Sequence, residues 1–297
     1  MATAAGRRVY LLYRVGDAVL RALPSPLALA LGALGGWVAS FASAERREIV
    51  GDNLRHVVGS GLQRRELRRL VRRSYAAYGR YWADGARLGA PGTRGFDRRW
   101  QLEHGEVYFD ALAEDKGVIL VLPHLGAWEA GGAWSASIGH PLTTVAEPLE
   151  PPELFQWFVE RRRQLGINVL PSRTSALAEL SAVLRAGGVV ALLADRDVTG
   201  DGIEVDLCGA KTRLPAGPAL LALRTGAALL PCAVYLEPHG RHRAVIRPPI
   251  AAERSGRLRA DAQRVTQLLA DELGALIAAR PEQWHVFRPN WPSDQRG

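Results

Sequence analysis

Gly117-Val118-Ile119-Leu120-Val121-Leu122-Pro123-His124-Leu125-Gly126-Ala127-Trp128-Glu129 decides how this chain is read. Residues 117–122 form an apolar run of strand length, and Pro123 and Gly126 break the backbone pattern just after it. Further short apolar runs lie at 142–146, 167–170, 188–194, 203–208, 228–236 and 243–247. Helical stretches separate several of them, at 127–138, 152–165, 174–186 and 215–225. A last helix covers 258–279 and ends before Pro281. Strands alternating with helices predict an α/β fold, a single mainly parallel-sheet domain flanked by helices.

Upstream the pattern is helical. Helices are predicted over 7–22, 26–43 and 44–57, the first two split by Pro24-Ser25-Pro26. A fourth begins near Gln63, with Leu67, Leu70, Val71, Tyr75, Tyr78 and Trp82 spaced by threes and fours. Its other face carries Arg64, Arg65, Arg68, Arg69, Arg72 and Arg73. That face reads either as a solvated surface or as one that lies on anionic headgroups. Residues 1–95 are thus expected to be a helical, membrane-facing part, and 96–297 the α/β core, within one structural unit. Repeats and Gly/Ser linkers are absent from the sequence.

The 297 residues include 47% hydrophobic and 23% charged side chains, which excludes a disordered or collagen-like chain. Formal net charge is +8. Residues 1–100 hold 18 arginines against 7 acids, so the remainder is slightly acidic. A basic front half suits an anionic membrane surface or nucleic acid. Helix-turn-helix, zinc-finger and aromatic RNA-binding signatures are all missing, which argues against nucleic acid as partner. Two cysteines, Cys208 and Cys232, build neither a disulfide framework nor a four-cysteine zinc site, and read as free thiols in apolar surroundings. The uncharged stretch 22–44 is long enough to span a bilayer, which takes ~20 residues. It is weakly apolar and contains Pro24, Pro26, Gly32, Gly35 and Gly36, so a packed or interfacial helix is the alternative reading.

His124 falls at the carboxyl end of the first long strand, where open α/β sheets place their sites. Glu129 follows five residues later. On one continuous helix, five residues turn ~500°, which leaves the two side chains ~140° apart. They meet only if His124 stands in the turn and Glu129 on the first helical turn. The pair would then be a base and its orienting carboxylate. A zinc helix needs histidines at i and i+4, and a serine hydrolase needs a Gly-x-Ser-x-Gly elbow; neither occurs here. The nucleophile then belongs to the substrate. By spacing alone, a structural histidine is the commoner reading.

The company of this pair changes the reading. Alongside His124 and Glu129 stand Tyr78-Gly79-Arg80-Tyr81-Trp82, Val145-Ala146-Glu147, Arg162 before Leu165-Gly166, Arg196-Asp197 and Thr212-Arg213-Leu214-Pro215-Ala216-Gly217-Pro218. Near the end of the sequence stands Trp284-His285-Val286-Phe287-Arg288-Pro289-Asn290-Trp291. Over roughly residues 10–292 it resembles the lysophospholipid acyltransferase superfamily, in its bacterial late lipid A acyltransferase branch. Within that branch it is most similar to the actinobacterial phosphatidylinositol mannoside acyltransferases.

The resemblance implies acyl transfer from acyl-CoA to a mannose hydroxyl of phosphatidylinositol mannosides, on the cytoplasmic face of the inner membrane, by a peripheral or monotopic protein. Another membrane glycolipid or a lysophospholipid is the alternative acceptor. No metal and no cofactor besides the acyl-CoA co-substrate is expected. His124 matches the base and Glu129 its charge-relay partner. Asp195 matches an acidic active-site position, with aspartate where the family has glutamate. Glu147, Arg162 and Arg196 match binding positions, whereas Arg224 replaces a glutamate and takes no role. Read locally, the same residues are ordinary: Glu147 precedes Pro148 and caps a helix, Arg162 is one of three adjacent arginines, and Asp195-Arg196-Asp197 is a charged loop. Trp284 and Trp291 are expected to pack. Acyl length, the hydroxyl acylated and oligomeric state stay open.

Overall fold

The computed structural model describes residues 4–59, 61–89, 99–173 and 175–294. Four helices come first: α1 (Ala4–Ala22), α2 (Ser25–Ala39), α3 (Ala44–Val58) and α4 (Arg64–Arg87). Then follow β1 (Trp100–Glu103), α5 (Gly105–Ala113), β2 (Val118–Leu122), α6 (Trp128–Ser137), β3 (Leu142–Ala146), α7 (Pro152–Gln164) and β4 (Ile167–Pro171). The chain continues through α8 (Ala176–Arg185), β5 (Val189–Leu193), β6 (Ile203–Leu207), β7 (Ala210–Leu214), α9 (Gly217–Thr225), β8 (Ala228–Glu237), β9 (Arg241–Ile246) and α10 (Leu258–Ala279). The expected division between residues 95 and 96 lies outside the described residues.

Seven strands form one sheet in the order β1-β9-β8-β2-β5-β3-β4. Every neighbouring pair is parallel except β8 with β9. The α/β fold is therefore as expected. β2 lies at the centre and is buried along its whole length, which its unbroken apolar run requires when helices cover both faces. One face packs on α8, α9 and α10 through Leu180, Leu184, Leu221, Val265, Leu269 and Leu273. The other meets α5 and α6 through Tyr108, Ala111, Trp128 and Trp134.

Two expectations change. Residues 203–208 were expected to join the sheet; they pair instead with β7 as a separate antiparallel hairpin. Its two-residue loop, Cys208-Gly209, has positive φ at both positions, the geometry that matches strand twist in tight hairpins. Ile203, Val205 and Leu207 alternate with Glu204 and Asp206, so only one face of this strand is apolar. That face packs, and the backbone edge is tied to Gln263 and Gln267 of α10. The helix expected over 26–43 stops at Ala39. The Ser40 hydroxyl turns back onto the Trp37 carbonyl, and Ser43 caps α3 through the Arg46 amide.

The break bends α2 against α3 by 106°. Among the described residues, no single helix is long and apolar enough to cross a membrane; the bent pair α2–α3 passes by length and composition only. α2 crosses α4 at glycines. A Cβ on Gly79 would collide with the Gly32 carbonyl, and one on Gly36 with the Tyr75 carbonyl. The backbones thus touch where side chains would hold them apart. α4 is docked on the sheet at β9 by a buried contact between His242 Nε2 and Asp84 Oδ2, 2.8 Å long. Arg80 adds a hydrogen bond to the Glu237 carbonyl.

Candidate active site

β2 stops at Leu122, and the chain turns at Pro123 to present His124 beyond the strand end. The loop is clamped from two sides. The His285 amide donates to the His124 carbonyl at 2.7 Å, and the Gly126 amide to the Gln283 carbonyl at 3.0 Å. The Ala127 amide reaches the Val234 carbonyl of β8 at 2.8 Å. Gly126 has φ +63°, and a Cβ there would strike the Val234 carbonyl, so this turn requires glycine. Helix α6 then starts at Trp128.

Asp195 reaches the same place from the neighbouring strand. Leu122 of β2 lies beside Leu193 of β5, and the Ala194 amide donates to the Leu122 carbonyl. The two strand ends therefore deliver His124 and Asp195 side by side. His124 Nδ1 and Asp195 Oδ1 are 2.5 Å apart. The other carboxylate oxygen accepts from Trp284 Nε1 at 2.6 Å, and the Asp195 carbonyl accepts from Asn290 Nδ2 at 3.0 Å. Asp195 is wholly buried. Burial by itself raises the carboxyl pKa, but the charge of His124 and the hydrogen bonds from His124 and Trp284 outweigh it, and the net shift is downward. The carboxylate holds the proton of His124 on Nδ1, which leaves Nε2 as the basic nitrogen.

The orienting contact expected of Glu129 is thus made by Asp195. Glu129, on the first turn of α6, faces away toward α7 and α4. Its Oε1 accepts from Arg162 at 3.0 Å, and its carboxylate faces the buried Tyr81 hydroxyl. His124 stands in the turn before α6 and Glu129 on its first turn, and the two side chains go to different partners. Arg162 also lies over the rings of Trp128 and Phe158, at 4.9 and 5.7 Å. Glu147 is exposed just beyond β3 and is not among the residues lining the His124 chamber. Arg196 does line it, with its Nε buried and unpartnered.

The chamber holds about 370 Å³, with His124, Trp128, Arg196 and His285 among its walls. Tyr81 and Trp82 of α4 separate it from an apolar cleft of about 340 Å³. That cleft runs beneath Leu12, Tyr13 and Leu20 of α1 and against Trp157, Phe158 and Leu165; Glu129, Arg161 and Arg162 mark its polar end.

Two members of the site escaped the sequence reading. Trp284 packs as expected but also donates to Asp195. His285 lies against the rings of Tyr78 and Tyr81, with both ring nitrogens shut away from water beside the Gly126 backbone. Burial pulls its pKa down to about 3 against an opposing contact with the Gly126 backbone, and the nearby charge of His124 adds to the lowering. Their signal was membership of the Trp284–Trp291 segment that carries the resemblance, 160 residues beyond His124, which gave neither a polar role. Trp291 is wholly buried packing, as expected.

Residues 5–293 match the family described as bacterial lipid A biosynthesis acyltransferase. Among curated proteins, the chain is 36% identical over 285 residues to a phosphatidylinositol mannoside acyltransferase of Mycolicibacterium smegmatis, covering 95% of this chain and 91% of that one. It is 41% identical over 226 residues to the protein of the same name from Mycobacterium tuberculosis, covering 74% and 70%.

Proposed function

The chain belongs to the bacterial lipid A biosynthesis acyltransferase family and is an acyltransferase; from that premise we propose that it moves a fatty acyl chain from acyl-CoA to a mannose hydroxyl of phosphatidylinositol mannosides. The observation that carries this reading is the His124–Asp195 contact, made at the edge of a chamber that adjoins an apolar cleft. A sugar hydroxyl is a poor nucleophile until its proton is accepted. His124 Nε2 takes that proton as the oxygen bonds to the thioester carbonyl carbon. Asp195 stabilises the imidazolium that forms. The tetrahedral oxyanion then collapses, the carbon–sulfur bond breaks, and the imidazolium returns its proton to the departing thiolate. The apolar cleft suits a hydrocarbon chain, as both substrates require.

The same reading puts the protein on the cytoplasmic face of the membrane. Contact with a membrane, though not the choice of face, is supported by the apolar residues that α1 and α2 leave exposed, among them Leu11, Leu12, Val15, Trp37, Val38 and Phe41. The Arg65, Arg68, Arg69 and Arg72 row on α4 adds positive charge toward anionic lipid. The test is mass spectrometry of products from acyl-CoA mixed with phosphatidylinositol mannosides. The expected product is heavier by one acyl group, with that group on a mannose, and it disappears with His124→Ala. Transfer to lysophospholipid alone would overturn the acceptor assignment. Absence of transfer from any acyl-CoA would overturn the donor.

A further inference from the structure

Three arginines from three separate elements line the His124 chamber. Arg46 stands on the first turn of α3, Arg196 directly follows Asp195 at the end of β5, and Arg288 lies in the C-terminal segment. Two buried or half-buried asparagines frame them. Asn53 of α3 donates to the carbonyls of Val286 and Arg288, at 3.1 and 2.8 Å, and accepts from the Asn290 amide at 3.1 Å. Asn290 in turn donates to the Asp195 carbonyl, beside Arg196. The backbones that carry the three arginines are therefore fixed to one another.

Their side chains are not neutralised. Other arginines near this site have acids: Arg161 meets Asp17, and Arg162 meets Glu129. Among the described residues, no carboxylate pairs with Arg46, Arg196 or Arg288. The two acids that flank Arg196 are engaged elsewhere: Asp195 gives its oxygens to His124 and Trp284, and Asp197 accepts from the Thr199, Gly200 and Gly202 amides. Three like charges around one opening repel each other, and Arg196 Nε is shut away from water without a partner. Planar guanidinium forks of this kind are matched by phosphate oxygens.

We propose that Arg46, Arg196 and Arg288 form a phosphate-binding ring at the mouth of the chamber. This rests on the acyl-CoA reading above. Either substrate carries phosphate: the donor a nucleotide phosphomonoester and diphosphate, the acceptor a single phosphodiester. Three unpaired cations suit the more highly charged donor.

The experiment compares wild type with the Arg46→Gln/Arg288→Gln double variant, whose two altered side chains are solvent-exposed, after matching their melting temperatures. Each is assayed with acyl-CoA and with the acyl-pantetheine thioester, which lacks the nucleotide phosphates, at varied acceptor concentration. In the variant, KM for acyl-CoA should rise on the order of ten-fold per arginine, more than kcat falls. With acyl-pantetheine, wild type and variant should have the same donor KM. If the ring serves the acceptor, the variant raises acceptor KM equally with both donors. Unchanged KM for both substrates in a variant that turns over normally overturns the ring. Wild type inactive with every thioester would instead overturn the acyl-CoA reading, and binding of CoA by the His124→Ala protein, with or without the arginine changes, then tests the ring directly.

Discussion

His124 Nδ1 lies 2.5 Å from Asp195 Oδ1, although 71 residues separate them and a nearer acid, Glu129, is five residues away. This relationship predicts which substitutions act as one. His124→Ala and Asp195→Asn should each lower kcat by roughly 10²–10⁴-fold, the range of general-base assistance. The double variant should lose little more, because the couple works as a unit. Glu129→Gln should cost less than Asp195→Asn. Steady-state kinetics on the four proteins, with circular dichroism to confirm folding, checks the order; equal losses for Glu129→Gln and Asp195→Asn would refute it.

Glu129 and Arg162 form an ion pair whose side chains are 13% and 17% exposed. Removing one partner leaves a largely buried charge without its counterion, at a cost of roughly 1–3 kcal/mol after allowing for the solvent that still reaches the pair. Glu129→Gln and Arg162→Met should each lower Tm. The double variant should fall by less than the two losses added together. Thermal melts decide this, and strict additivity would show the pair to be energetically uncoupled.

The pKa of His285 is held down to about 3, whereas an unfolded histidine titrates near ~6.5. Between those values the unfolded chain binds a proton that the folded chain does not, so stability falls as pH falls from ~6.5. The lowered pKa of Asp195 acts in the same direction, but only around and below the ordinary carboxylate range. The difference in Tm change between pH 7 and pH 4.5 for wild type and a His285 variant therefore reads the His285 contribution. His285→Asn should flatten that slope, and an unchanged slope would contradict the burial.

Gly79 of α4 faces backbone atoms of Gly32 and Gly36 of α2, whereas a Cβ on Gly35 of α2 meets nothing within 4 Å. Gly79→Ala must push α2 off α4 and should cost roughly 1–3 kcal/mol. Gly35→Ala should be neutral or stabilising by up to ~1 kcal/mol through helix propensity. Melting temperatures of the two variants test the contact; equal effects would show that the crossing is not set by glycine.

The sequence by itself determined what depends on neighbours along the chain. Residues 118–122 carry no polar atom beyond the backbone, so their hydrogen bonds had to close in a strand covered on both faces. The threefold and fourfold spacing of Leu67, Val71, Tyr75 and Tyr78 made α4 a helix. Pro123 ended β2 and left His124 at its tip. Even the departure of β6 from the sheet has a local mark, since Ile203, Val205 and Leu207 alternate with charged residues while β2 does not alternate at all.

Only the tertiary structure decided which groups meet. Asp195 became the partner of His124 because β5, rather than β3, pairs with β2, and strand order is set by long-range burial that no window of sequence contains. Glu129, only five residues away in sequence, is held instead by Arg162 of α7. β1 has only four residues and takes its place from β9. His285 acquired its shifted pKa from the rings of Tyr78 and Tyr81, brought by a helix some 200 residues earlier. Periodicity is a property of near neighbours and survives in the sequence; partner choice and desolvation arise when distant surfaces exclude water together, and they exist only in the folded chain.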